Sequence, residues 1–208
     1  MHDTIALITI LNPFAAASIM ISMLSPAIPS TIYPTAKKAT LTVLVASLIT
    51  LFAGEAIFRF FGINVASIKV IGGVILMLIA INMAYGQEAK NRHTPEEQEE
   101  AQEKEDISIV PLGIPILFGP GVIATIVVLS HNDSIVYSKP ISYALVSAAI
   151  LLASLSTFTV LRYAGLLQKA LGVTGMKILT RIMGLIVGAI AAQFLVGGIK
   201  VLWESLSR

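Results

Sequence analysis

The chain has no cysteine, a single tryptophan, and charge on only 12% of its 208 residues. The absence of cysteine excludes disulfide staples and thiolate metal sites, and it says nothing further about compartment. The shortage of charge is more telling, because it is about half the share of an ordinary globular protein. A chain that is 56% hydrophobic has too little polar surface to coat a water-soluble globule. Charge is also missing in long runs. No Asp, Glu, Lys or Arg lies between Asp3 and Lys37, Lys38 and Glu55, Lys69 and Glu88, Asp106 and Asp133, Lys139 and Arg162, or Arg181 and Lys200. The net charge of +2 is too small to suggest a nucleic-acid partner.

These runs hold six apolar segments, near 5–24, 40–61, 70–85, 110–129, 141–163 and 182–202. A helix needs about 20 apolar residues, in a range of about 17–25, to cross the hydrocarbon core of a bilayer. Most segments fit, and 70–85 reaches that length by borrowing Ile68 and a snorkelling Lys69. The fold expected is an all-α membrane protein of six transmembrane helices. A transmembrane barrel is excluded, since the segments are continuously apolar and do not alternate. Ala15-Ala16-Ala17 has the look of a signal-peptidase site. However, the N-terminus lacks Lys and Arg, and the apolar run continues to Leu24, so cleavage is not expected. With six spans the termini share a side with the 2–3 and 4–5 loops. That side carries five basic residues, Arg59, Lys69, Lys139, Lys200 and Arg208, against nine on the other. The positive-inside rule then places both termini outside, on the periplasmic face, and the remaining loops in the cytoplasm.

Residues 87–106 form the one strongly polar stretch, an acidic cytoplasmic linker between 1–86 and 107–208. Thr94-Pro95-Glu96-Glu97 has the form of a capping box that opens a short solvated helix, and His93 reads as a solvated loop residue. The two flanking parts repeat each other. Pro13, Ala17 and Ser18 match Pro120, Ala124 and Thr125 at a spacing of 107, and Gly62 matches Gly172 at 110. Gly73, Ile79, Ala80, Asn82 and Gly86 match Gly184, Ile190, Ala191, Gln193 and Gly197 at 111. Three helices per repeat is an odd number, so the second repeat enters the membrane from the opposite side. That is the inverted-topology organisation of many secondary transporters.

The first helix of each repeat is broken at a corresponding place, Asn12-Pro13 and Gly119-Pro120-Gly121. Proline has no amide hydrogen and clashes with the preceding turn, so it sits well only at a helix start. Asn is a favoured N-cap and Gly a tolerated one. Irregular backbone at membrane depth survives only when buried in protein or lining a wet cavity. Single prolines kink many membrane helices without function, but a repeat-related pair with N-cap-like neighbours favours a substrate site. Pro111 and Pro115 have no counterparts in the first half and read as local kinks. The amides Asn82 and Gln193 are candidate substrate ligands or interhelical glue in equal measure. Ser18 and Thr125 follow the breaks by about a turn, though such hydroxyls often bond their own helix backbone. Glu55 is a candidate for carrying a coupled proton, but Arg59 four residues on favours an ordinary ion pair. Gly72-Gly73, Gly184 and Gly188 suit close helix contact.

The stretches FGINVASIKVIGGVILMLIAINM (61–83), VPLGIPILFGPGVIATI (110–126) and TGMKILTRIMGLIVGAIAAQF (174–194) resemble the MarC family of bacterial inner-membrane proteins. The resemblance covers nearly the whole chain and is most specific around Gly119-Pro120-Gly121. It implies six spans and a plasma-membrane location. It also implies, from some members, transport of small neutral amino acids such as glycine and alanine driven by a cation gradient. The family's broken-helix prolines carry over to Asn12-Pro13 and Gly119-Pro120-Gly121. Members often have glycine soon after the first proline. Here Phe14-Ala15-Ala16-Ala17 follows, which leaves the room at that break, and hence substrate size, open.

The function expected is secondary transport of small zwitterions by alternating access, coupled to a proton or sodium ion. The alternative is a channel or non-transporting scaffold of the same fold. No cofactor or metal is expected, and a homo-oligomer is compatible with the chain. An enzyme is not expected, because no HExxH or GxSxG occurs and His2, His93 and His131 fall outside the apolar segments.

Overall fold

A computed structural model describes residues 1–24, 31–86 and 107–207. The elements in order are α1 (His2–Leu11), α2 (Pro13–Met23), α3 (Ile32–Phe60) and α4 (Val65–Tyr85), then α5 (Ser108–Leu117), α6 (Pro120–Val136), α7 (Lys139–Arg162) and α8 (Ala164–Leu206). Among the described residues five helical stretches are long and apolar enough to cross a membrane, α1 and α2 together counting as one. There are six if α5 and α6, bent by 58° where they meet, form a single span. The linker, with its capping box and His93, lies outside the described residues.

The third apolar segment does extend through Ile68 and Lys69, and beyond them to Val65. Asn64 accepts a hydrogen bond from the Ser67 amide at 2.8 Å and starts α4 at Val65, giving 21 residues. The fourth segment departs from expectation. Pro111 and Pro115 do not kink an α-helix, because no α-helix forms there. A residue before proline is driven out of the α region by the proline ring, and Val110 (φ −127°, ψ 123°) and Ile114 (φ −131°, ψ 126°) are extended accordingly. Two such residues four apart leave α5 with wide turns, closed by Leu112 N–H to Ile107 C=O (3.2 Å) and Phe118 N–H to Gly113 C=O (2.9 Å).

Two antiparallel helix pairs frame the molecule. In the first, α4 lies along α8 over its whole length, and glycines set the approach. A Cβ on Gly73 would sit 3.0 Å from the Ala191 carbonyl oxygen, and one on Gly184 would sit 3.2 Å from that of Ala80. A Cβ on Gly198 would meet the Ala66 carbonyl at 2.8 Å. Hydrocarbon gives apolar side chains no reason to leave lipid, so close backbone approach of this kind supplies the attraction by dispersion. In the second pair α3 runs beside α7, with ring contacts between Tyr33 and Phe158 (6.1 Å) and between Phe52 and Tyr143 (5.6 Å). The Arg162 guanidinium lies 4.9 Å over the Tyr33 ring, a cation–π contact at that end. Gly62 (φ 71°) turns the chain from α3 into α4, and Gly172 (φ 65°) interrupts α8 after Leu171; both use the left-handed region, which side chains resist.

Between the pairs lie the interrupted segments. α1 contacts α6, and α2 contacts α5, so the two chain interruptions are side by side. Their faces are small and fully covered: Ala16, Ala17, Met20, Thr125 and Ile126 have essentially no exposure. Large apolar side chains such as Phe52, Leu78, Leu155 and Leu185 point outward instead. This inside-out distribution suits a chain whose solvent is lipid.

Candidate functional site

The local structure of LNPFAAAS follows from two residues. Asn12 adopts φ 45°, ψ 65° and is the one non-glycine residue with positive φ among those described. That conformation costs most side chains about 1–2 kcal/mol, and Asn tolerates it best. Its amide donates to the Ile8 carbonyl (3.1 Å) and closes α1. Its side-chain oxygen accepts from the Ala15 amide (3.3 Å) and opens α2. Pro13 occupies the first helical position, where its missing N–H removes nothing. One residue thus ends one helix and begins the next, and it is 2% exposed.

At the second interruption Gly119 is extended and Pro120 again takes the first helical position. The Gly119 carbonyl accepts from the Val122 (3.0 Å) and Ile123 (3.3 Å) amides. In α2 the first helical bond comes from Ala16 to the Asn12 carbonyl (3.2 Å). Among the described residues no backbone carbonyl accepts from the Phe14 or the Gly121 amide. Helix starts carry such spare donors and roughly half a positive charge, so both points favour an anionic group.

A cavity of about 200 Å³ adjoins the second start. Gly119, Pro120 and Gly121 form one wall; Ile79 of α4, Pro115 and Ile116 of α5, and Ile10, two residues before Asn12, form the rest. Cavities for drug-sized ligands run to about 300–1,000 Å³, so this one suits a smaller molecule. Its polar atoms are backbone, and none of its side chains is charged. Gly121 sets its width, since a Cβ there would lie 2.9 Å from Leu76 Cδ2 and 3.2 Å from Ile79 Cδ1.

The remaining candidates fall elsewhere. Asn12 and Pro13 are buried at the first start and do not line this cavity. Ser18 donates to the Phe14 carbonyl (3.1 Å) and Thr125 to that of Gly121 (2.7 Å), each spending its hydroxyl on its own helix. Asn82 is half-buried on α4, one turn beyond Ile79, and lines neither cavity described here. Gln193 is exposed on α8. The buried stripe of that helix runs through Val187, Ala191, Phe194 and Gly198, and Gln193 lies off it. The spacing that pairs the two amides in sequence carries no information about facing.

A second, larger cavity of about 570 Å³ opens at the end of the bundle where α8 finishes. Its polar lining is Glu55 and Arg59 of α3, Asn64 before α4, His131 of α6 and Ser205 of α8. Glu55 Oε1 accepts from Arg59 Nη2 at 2.7 Å, the ion pair that their spacing predicts. His131 falls beyond the apolar run, as its sequence position indicates, but it lies inside a helix. α6 continues to Val136, and the imidazole is half-buried at the cavity wall. The apolar run from Val110 stops at Leu129, so helix length after a late start at Pro120 was the signal that could have placed it. Asp3 lies against Asp133 near this opening, so the start of α1 is at the same end.

No group of three or more His, Asp or Glu side chains able to hold a metal occurs among the described residues.

Fold and site together define a polytopic helical membrane protein with chain interruptions next to an internal cavity. Comparison with known proteins gives its family. The chain matches the MarC family integral membrane proteins over residues 1–203, and it belongs to that family. It is 34% identical over 196 residues to a UPF0056 membrane protein of Aquifex aeolicus, covering 94% of this chain and 90% of the relative. It is 32% identical over 205 residues to the UPF0056 membrane protein YhcE of Escherichia coli, covering 97% and 92%. It is 36% identical over 201 residues to a UPF0056 membrane protein of Methanocaldococcus jannaschii, covering 94% and 93%. No solved structure matches the chain.

Proposed function

We propose that the protein is a secondary transporter of small neutral amino acids, of the size of glycine or alanine, and that it performs no chemical conversion. The observation that carries this reading is a helix start at Pro120, with a spare first-turn amide at Gly121, in the wall of a cavity of about 200 Å³ that Ile10 at the end of α1 also lines. A substrate carboxylate is stabilised by such donors in a low-dielectric site without any lysine. The ammonium needs carbonyl oxygens, and the Pro115–Gly119 backbone in the cavity wall is where they would come from. Labelled glycine and alanine should accumulate in proteoliposomes under an imposed proton or sodium gradient. Uptake no greater than in protein-free vesicles under either gradient would leave only the scaffold or channel reading.

Alternating access between inverted repeats is the accompanying mechanism, and several matched details support it. Ser18 to Phe14 and Thr125 to Gly121 are the same hydrogen bond 107 residues apart. So are Thr50 to Ala46 and Thr157 to Ala153, both at 2.9 Å. The contact of Gly73 with Ala191 exchanges into that of Gly184 with Ala80 at a spacing of 111. Antiparallel helices that exchange contacts in this way are related by an axis perpendicular to both, which in a bilayer lies in the membrane plane. The halves differ where α1 is α-helical and α5 is not.

The count of nine basic residues against five supports a plasma-membrane orientation with both termini external. Reporter fusions after Arg208 should register outside, and fusions within 87–106 should register in the cytoplasm. The reverse pattern would overturn the orientation.

A further inference from the structure

We propose that the cavity of about 570 Å³ at the termini end is a capture site for the same zwitterion, with Glu55 binding its ammonium and Arg59 its carboxylate. This rests on the transport reading above, and it adds a second station to that route. Three observations carry it.

The first is convergence. The cavity gathers polar groups from α3, α6, α8 and the turn before α4, hence from both halves of the chain. The second is charge balance. Glu55 and Arg59 face the same space and are joined by a single 2.7 Å contact, Arg59 Nη2 to Glu55 Oε1. The Glu55 side chain is 29% exposed and that of Arg59 74%. Both therefore have further hydrogen-bonding capacity toward the cavity. A zwitterion inserted between them exchanges one ion pair for two and leaves no charge unmatched. An amino acid with an extra charge leaves that charge unpaired in a partly desolvated space, which selects against acidic and basic substrates. The third is position. α6 begins at Pro120 in the wall of the small cavity and carries His131 in the wall of the large one. At 1.5 Å per residue the two lie roughly 16 Å apart along one helix. The apolar part of the lining, including Phe58, Ile63 and Leu202, has room for a short aliphatic side chain.

The test is calorimetric titration of the purified full chain with glycine, together with glycine uptake from the termini side of proteoliposomes. E55Q and R59Q remove one contact each. The double variant E55Q/R59Q removes both without leaving a lone charge, so it keeps folding separable from binding. Each single variant should weaken glycine binding and raise KM about tenfold or more, the scale of one charged hydrogen bond, with kcat little changed. Glutamate and lysine should not bind the native chain measurably. G121V, which narrows the small cavity, should lose transport yet keep the component of glycine binding that E55Q/R59Q abolishes. If the native chain transports glycine while the folded double variant keeps native binding and KM, the capture site is refuted and the transport reading stands. If the native chain binds glycine through Glu55 and Arg59 but never transports it, the capture site stands and the transport reading falls.

Discussion

Gly121→Val is expected to reduce amino acid uptake by about a hundredfold or more while leaving membrane insertion intact, the scale on which a misplaced reacting or bound group costs function. The reason is steric. A Cβ alone at this position would lie 2.9 Å from Leu76 Cδ2, and two further methyl groups would enter the space that Ile79 and Pro120 share. Gly121→Ala should be much milder, because both neighbours are flexible side-chain ends. The first break gives the companion measurement. Asn12→Leu loses a cap worth about 1 kcal/mol and adds left-handed strain of about 1–2 kcal/mol. Asn12→Gly keeps the backbone and loses only a few tenths of a kcal/mol of capping. Thermal unfolding in detergent should therefore rank native, Gly and Leu in descending order, with uptake following. Equal behaviour of the Leu and Gly variants would show that the conformation of Asn12 is not what opens α2. Full uptake by Gly121→Val would remove the small cavity from the route.

Gly184→Leu should be strongly destabilising. A Cβ there would lie 2.7 Å from Met83 Cβ, and 3.2 Å from both the Ala80 carbonyl oxygen and the Ala84 amide nitrogen. Two of these three atoms are backbone and cannot rotate away, so α4 and α8 must separate. Ordinary core overpacking costs about 1–3 kcal/mol, and a helix displacement along this seam exceeds that range. The expected result is loss of folded protein in detergent by size-exclusion chromatography. Gly197→Leu, where a Cβ would meet nothing within 4 Å, serves as its control. Folded, native-like protein from Gly184→Leu would mean that the seam is not tight in the membrane.

The sequence by itself determined the membrane class, because charge-free runs have only one solvent that suits them. It also determined the places where helices stop. Asn12-Pro13 and Gly119-Pro120-Gly121 act through φ restriction and lost donors, which are local properties, and α2 and α6 begin at Pro13 and Pro120. The Glu55–Arg59 pair was legible for the same reason, since four residues is one helical turn. α5 was not read correctly, although its cause is also local. Two prolines four apart act together, and each was weighed as a single kink.

What only the tertiary structure decided is facing. Gln193 and Asn82 match at a spacing of 111 in the sequence, yet the stripe through Ala191 and Phe194 turns Gln193 outward, while Asn82 stays half-buried. Period alone cannot choose a face when every face of the helix is apolar, and between Arg181 and Lys200 α8 carries no charge on any face. His131 and Ile79 entered their cavities through contacts between α4, α6 and helices far away in sequence. Those contacts are fixed by glycine approaches such as Gly184 on Ala80, whose partners lie about a hundred residues away.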